Sequence, residues 1–127
     1  MADEMTGEVV FDKKDQLQKI EAALLPGEAV EAVFDMKGGG TGFIGITSKR
    51  VIFHDKAFLS KMKAMVSIPY SRIYTVAAED DGGFLRGRGF FSSSKLVLTT
   101  GHGDFTFEFR GADKAHLAHN LILQHIL

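Results

Sequence analysis

After Pro26-Gly27 the spacing of apolar residues changes from helical to every second residue, and this change constrains the fold more than any other feature of the chain. Val30, Ala32, Phe34 and Met36 alternate with Glu31, Val33, Asp35 and Lys37, as in a strand with one buried face. The alternation is cleanest near the C-terminus, where Phe105, Phe107 and Phe109 face one way and Thr106, Glu108 and Arg110 the other. Between these segments, strands are predicted at Phe43 to Thr47, Val51 to His54, Ala64 to Ile68, Ile73 to Ala78 and Lys95 to Thr100. Turn-forming residues separate them: Gly38-Gly39-Gly40-Thr41-Gly42, Thr47-Ser48-Lys49-Arg50, Pro69 with Tyr70-Ser71-Arg72, and Gly101-His102-Gly103-Asp104. Seven short consecutive antiparallel strands imply a barrel or an orthogonal sandwich.

Helices flank this β-rich region. The first is predicted from Asp12 to Leu25, with Asp12 as N-cap and Leu17, Ile20 and Leu24 along one stripe, ending at Pro26-Gly27. Its stripe must be buried on its own sheet or on a neighbour. The second follows Gly111 and runs to Leu127, with Ala115, Leu117, Ala118, Leu121, Ile122 and Ile126 on a broad arc that packs on the barrel. At 127 residues the chain fits one domain. The organisation expected is a flexible segment 1–11 and one domain 12–127, divided into an N-terminal helix 12–25, a barrel 28–110 and a C-terminal helix 112–127.

Three segments, in this order and spacing, resemble the bacterial pleckstrin-homology-like (PH-like) domain family: Leu24-Leu25-Pro26-Gly27-Glu28, Thr47-Ser48-Lys49-Arg50-Val51-Ile52-Phe53 and Ile68-Pro69-Tyr70-Ser71-Arg72-Ile73. The resemblance covers Leu24 to Leu127. It implies a β-rich α+β fold: a seven-stranded antiparallel PH-like barrel or orthogonal sandwich capped by a C-terminal helix, here with an N-terminal helix added. It also implies a binding or assembling module, since bacterial members tend to form homo-oligomers, closed rings among them. Eukaryotic relatives that bind phosphoinositides carry basic clusters between their first two strands. Lys37 followed by glycines is a departure that argues against inositol-phosphate binding. Each segment also has a local rationale. The polar Thr-Ser-Lys-Arg stretch suits a turn, Arg50 can reach back to an acidic neighbour, and Tyr70 offers an apolar ring with a polar tip.

Composition narrows the classes of function. Fifteen Lys plus Arg against sixteen Asp plus Glu give a net charge of −1, so no global field draws the chain to nucleic acid or anionic lipid. The absence of cysteine removes disulfides, thiolate catalysis and cysteine-based zinc sites. An acidic N-terminus and the lack of an apolar run near ~20 residues point to a cytoplasmic protein.

Few motifs offer chemistry. Gly40-Thr41-Gly42-Phe43-Ile44-Gly45 matches the dinucleotide fingerprint in spacing, but Phe43-Ile44 reads as strand where a phosphate-binding helix must begin. His116 and His119 are one helical turn apart without a third ligand at useful spacing, and read as a solvated face. His125 falls in the apolar arc as a partly buried core histidine. His54-Asp55 is not a dyad, because adjacent strand residues face opposite sides. No enzyme activity, metal or other cofactor is expected.

Three sets of residues are candidates for binding. The long segment 80–94 carries Arg86, Arg88, Phe90 and Phe91 among glycines, which reads equally as a partner-binding loop and as an extension of the sixth strand with arginines answering Glu79, Asp80 and Asp81. Leu123 and Leu127 project away from the core arc of the C-terminal helix and are candidate oligomer contacts. Lys37, Lys56, Lys61 and Lys63 make a candidate anion or lipid patch if they share one barrel end. The expectation is a non-catalytic interaction module that forms a homo-oligomer, a ring included, and binds a protein partner. The alternative is peripheral membrane or phosphorylated small-molecule binding through the lysines; nucleic acid is not expected.

Overall fold

The computed structural model describes residues 8–37, 42–59, 62–80 and 93–127; for 55–59, 62–64 and 80 it describes the backbone alone. In chain order the elements are β1 (Val10–Phe11), α1 (Lys14–Ala22), β2 (Val30–Asp35), β3 (Phe43–Thr47), β4 (Arg50–Leu59), β5 (Met62–Pro69), a 3-10 turn (Tyr70–Arg72), β6 (Ile73–Asp80), β7 (Ser93–Thr100), β8 (Gly103–Arg110) and α2 (Lys114–Ile126). The chain is mostly β with two helices.

The strands form two sheets and do not close into a barrel, one of the two architectures expected from their number. One sheet has five strands in the order β1-β2-β3-β4-β5 and the other three in the order β6-β7-β8. They are joined at one side, where Met36 forms a bridge with Phe109 and the Lys37 amide donates to the Glu108 carbonyl at 2.7 Å. At the other side β5 ends one sheet and β6 ends the other. Pro69 and the 3-10 turn explain the break, since proline cannot donate to a ladder and the turn redirects the chain before β6 begins.

Two other expectations change. Val10–Phe11, assigned to a flexible segment, pairs in parallel with Ala32–Val33, and the Asp12 amide donates to the Val33 carbonyl at 3.1 Å. The first helix spans Lys14–Ala22, not 12–25, and Lys13 precedes it with no side-chain cap. Asp12 is drawn away from capping: its carboxylate accepts the Asp35 amide at 2.9 Å and pairs with Lys114. That exchange ties the entry of α1 to β2 and to the start of α2.

The core lies between the two sheets and α2. Phe34, Ile44, Ile46, Val51, Leu96, Leu98, Phe109 and Ile122 are fully buried there. Phe34 and Phe109 meet edge to face at 5.6 Å, and Phe107 meets Phe53 at 5.0 Å, so aromatic contacts cross from sheet to sheet. Ser94 fixes the start of α2 by accepting the Ala115 amide at 3.1 Å and donating to the Gly111 carbonyl at 2.9 Å. Leu117, placed in the core arc by periodicity, is 37% exposed. The inward stripe is narrower, because Ala115, Ala118 and Ile122 alone are buried, with Leu121 and Ile126 at its margins.

The outer face of β2, β3 and β4 is also covered, by α1. Ile20 packs with Val33, Phe43 and Ile52 in a second cluster, which is why β3 is buried on both faces. Gly45 makes this close approach possible: a Cβ there would lie 2.9–3.1 Å from three side-chain carbons of Ile20. Gly45→Val should therefore push α1 off the sheet and cost about 1–3 kcal/mol or more, read as a lowered thermal midpoint. An unchanged midpoint would show that α1 contributes little to stability.

Candidate functional site

The corner where the 3-10 turn, the β3–β4 turn and the C-terminal end of α2 meet is the most connected polar region, and local sequence builds it. Pro26-Gly27 forms a turn in which the Glu28 amide donates to the Leu25 carbonyl at 3.0 Å. Gly27 has φ +81°, the value that a type II turn requires at its third position. This turn aims the Glu28 carboxylate inward. Its Oε1 accepts the Leu25 amide at 2.8 Å and its Oε2 the Thr47 hydroxyl at 2.6 Å. Arg50 then clamps both oxygens, from Nε at 2.9 Å and from Nη2 at 3.0 Å. The same guanidinium reaches the Ala23 carbonyl at 2.8 Å and the Ser67 hydroxyl at 2.9 Å, linking α1, β4 and β5.

Glu28 is 8% exposed, so burial pushes its carboxyl up, but hydrogen bonds from Arg50, Thr47 and the Leu25 amide, with the Arg50 charge, outweigh this and hold it at about 2. The partner of Arg50 is thus an acid that precedes β2, not one across its own hairpin.

Tyr70 closes the corner. Its hydroxyl donates to the Thr47 carbonyl at 2.6 Å, and its ring stacks on His125 at 4.4 Å. Burial, with Glu31 and Glu28 adding negative charge, pushes the phenol far above its usual range, so it remains a donor. His125 Nε2 lies 3.0 Å from both Glu31 oxygens. The β2–β3 register shifts at Glu31, between Val30 and Ala32, and this bulge accompanies the contact of Glu31 with α2. His125 is half-buried, as periodicity indicated, but periodicity could not name Glu31 or Tyr70 as its neighbours.

These groups satisfy one another, and the corner acts as a lock. The surface beside it is different. Among the described residues β5 and β6 end their sheets, and Met65 and Tyr74 on them are 47% and 61% exposed. On α2, Leu127 is 94% and Leu117 37% exposed, and Leu123 is half-buried. At ~100° per residue Leu117, Leu123 and Leu127 fall on the outward half of the helix.

The remaining sequence candidates are not brought together among the described residues. Arg86, Arg88, Phe90, Phe91 and Lys61 lie outside the described residues, as do the side chains of Lys56 and Lys63. Lys37 is exposed and sits 3.8 Å from Glu108. His119 contacts Asn120 at 2.9 Å, and among the described residues no group of three His, Cys, Asp or Glu side chains could hold a metal ion. His54 stacks on Phe43 across the β3–β4 ladder at 5.0 Å. Among the described residues no helix is long and apolar enough to cross a membrane.

The model of the family described as "Bacterial PH domain" matches residues 10–122, nearly the whole set of elements from β1 to α2. The chain belongs to the bacterial PH domain family. As a bacterial PH domain it is 34% identical over 92 residues to the uncharacterized protein YozO of Bacillus subtilis, covering 72% of this chain and 73% of that protein. Its fold is similar to the pleckstrin homology domain from Shewanella amazonensis (TM-score 0.63, 24% identity, 97% of this chain and 94% of that one). It is also similar to a DUF1696 family protein with a pleckstrin-homology domain from Shewanella loihica (TM-score 0.58, 19% identity, 91% of this chain and 95% of that one). At these identities the two structures speak to the PH fold alone. In this PH domain the three segments read from the sequence are the parts of the corner: the turn carrying Glu28, the turn carrying Thr47 and Arg50, and the 3-10 turn carrying Tyr70.

Proposed function

We propose that this bacterial PH domain is a non-catalytic interaction module of the cytoplasm that self-assembles into a homo-oligomer and in that form binds a protein partner. The observation that carries this reading is the open side between the sheets, where β5 and β6 are both end strands and Met65 and Tyr74 stand out from them. An end strand presents unpaired amides and carbonyls, and a second copy can add its own strand to that edge. The outer face of α2, with Leu117, Leu123 and Leu127, supplies apolar area that a subunit contact would bury. The buried Glu28–Arg50 corner holds the 3-10 turn between the two edges in place, so the surface is presented by a rigid support.

Light scattering on the full chain tests this reading. A defined assembly is expected, and Leu123→Asp or Leu127→Asp should shift it toward smaller species by placing a charge in an apolar contact. A variant that keeps the wild-type mass would remove α2 from the interface.

A further inference from the structure

A cleft of about 350 Å³ lies beside the lock, lined by Pro69, Arg72, Tyr74, Thr100, Gly101 and His102. We propose that it is a binding site for a small organic oxyanion, a phosphate monoester or a carboxylate carried on a flat apolar group. Tyr74 also stands on the edge proposed for self-association, so an assembly built on β6 competes with the ligand for that ring.

The chemistry of the lining is one-sided. Arg72, Tyr74 and His102 offer N–H and O–H donors, and among the described residues no acidic side chain lines the cleft. Among the described residues Arg72 has no ion-pair partner, whereas Arg50 and Arg110 are paired with Glu28 and Asp35. A guanidinium fork that meets no carboxylate among the described residues is suited to take two oxygens of an incoming anion. Apolar surface comes from the Pro69 ring and the exposed Tyr74 ring, against which a flat group can lie. The size is at the small end of ligand cavities, which run from ~300 Å³ upward.

The donors stand on fixed backbone. Arg72 is the last residue of the 3-10 turn, between Tyr70 and Ile73, which are 9% and 5% exposed. His102 is held in a tight turn: its amide donates to the Thr100 hydroxyl at 3.1 Å, and that hydroxyl donates to the Gly103 carbonyl at 2.9 Å. Gly103, with φ +112°, allows that turn to close. Tyr74 reaches the same turn, since a Cβ on Gly101 would lie 3.5 Å from its phenol oxygen. Three donors from two rigid turns and one strand lose little freedom when an anion binds.

The test is an NMR titration of the full chain, following backbone amides, with phenyl phosphate, benzoate, inorganic phosphate and benzylamine as probes. Phenyl phosphate or benzoate should give saturable shifts at Tyr74, Gly101 and His102 in the millimolar range. The tighter of the two identifies phosphate or carboxylate as the preferred group. Inorganic phosphate should bind more weakly at the same amides, and benzylamine should leave them unmoved. Arg72→Ala should weaken the better anion by about tenfold or more while keeping the wild-type melting temperature. Should Arg72→Ala melt early, His102→Ala, at an exposed turn position, provides the same comparison with a smaller loss. Absence of saturable shifts with both organic anions, or equal affinity in a folded Arg72→Ala protein, overturns the proposal.

Discussion

Glu28→Gln should destabilise the chain by about 3–5 kcal/mol at neutral pH, because it removes the charge opposite a guanidinium that is largely buried. Arg50 has 17% of its side chain exposed and the Glu28 side chain none, so water cannot replace the lost partner. The effect depends on pH in a defined direction. The folded-state pKa of Glu28, about 2, lies below its ordinary value of 4.5. The carboxylate's contribution is therefore complete above the ordinary carboxylate range and drains away as pH falls toward 2. A shift of this size corresponds to roughly 3 kcal/mol. Denaturant unfolding of both proteins across this range should show a gap between wild type and Glu28→Gln that narrows steadily with acid. A gap independent of pH would mean that Glu28 acts through packing and not through its charge.

Phe109→Ala should cost about 3–5 kcal/mol, the range for deleting a buried phenylalanine. The cost should fall at the upper end because Phe109 is fully buried and its ring meets Phe34 of the other sheet edge to face at 5.6 Å; its backbone also bridges to Met36 where the two sheets join. The alanine keeps the backbone bridge and loses the ring, so the measurement separates core packing from the hydrogen-bonded seam. Domains of this size are stable by ~5–15 kcal/mol, so the loss takes up a large part of the total. A loss below about 1 kcal/mol would indicate that the core collapses around the cavity and that the seam holds the sheets together.

Much of the fold was legible because its strands obey a simple periodicity. Phe105, Phe107 and Phe109 alternate as β8 requires, and Lys95 to Thr100 falls within β7. What was not legible depends on contacts distant in sequence. Val10–Phe11 is too short to show a period, and its parallel pairing with β2 follows from where α1 is docked. Val51 to His54 was expected as a strand of four residues, but β4 runs from Arg50 to Leu59, into a stretch where Asp55 and Lys56 interrupt the apolar pattern. The two-sheet arrangement turns on Pro69 and the 3-10 turn, and strand counting alone cannot distinguish that break from a closed ladder. Leu117 was placed in the core arc, yet at ~100° per residue it lies outside the stripe of Ala115, Ala118 and Ile122 and is 37% exposed.

The same holds for the site. Arg50 and Tyr70 were singled out as residues with structural reasons, and both are parts of the lock. Their partners Glu28, Glu31 and His125 could not be chosen from sequence, because His125 is separated from Glu31 by 94 positions. The cleft residues Arg72, Tyr74 and His102 were read only as turn and strand positions, Arg72 within the family segment Ile68 to Ile73, and nothing in their local pattern marked them as lining one cleft. The Pro-Gly turn before Glu28 was the available clue to the lock, since a type II turn followed by an acid fixes where that acid points.

Native mass spectrometry of the purified full chain tests the proposed self-assembly most directly. The account predicts a single dominant species at a whole-number multiple, greater than one, of the 13.9 kDa chain mass. A spectrum dominated by the monomer at high protein concentration would contradict it.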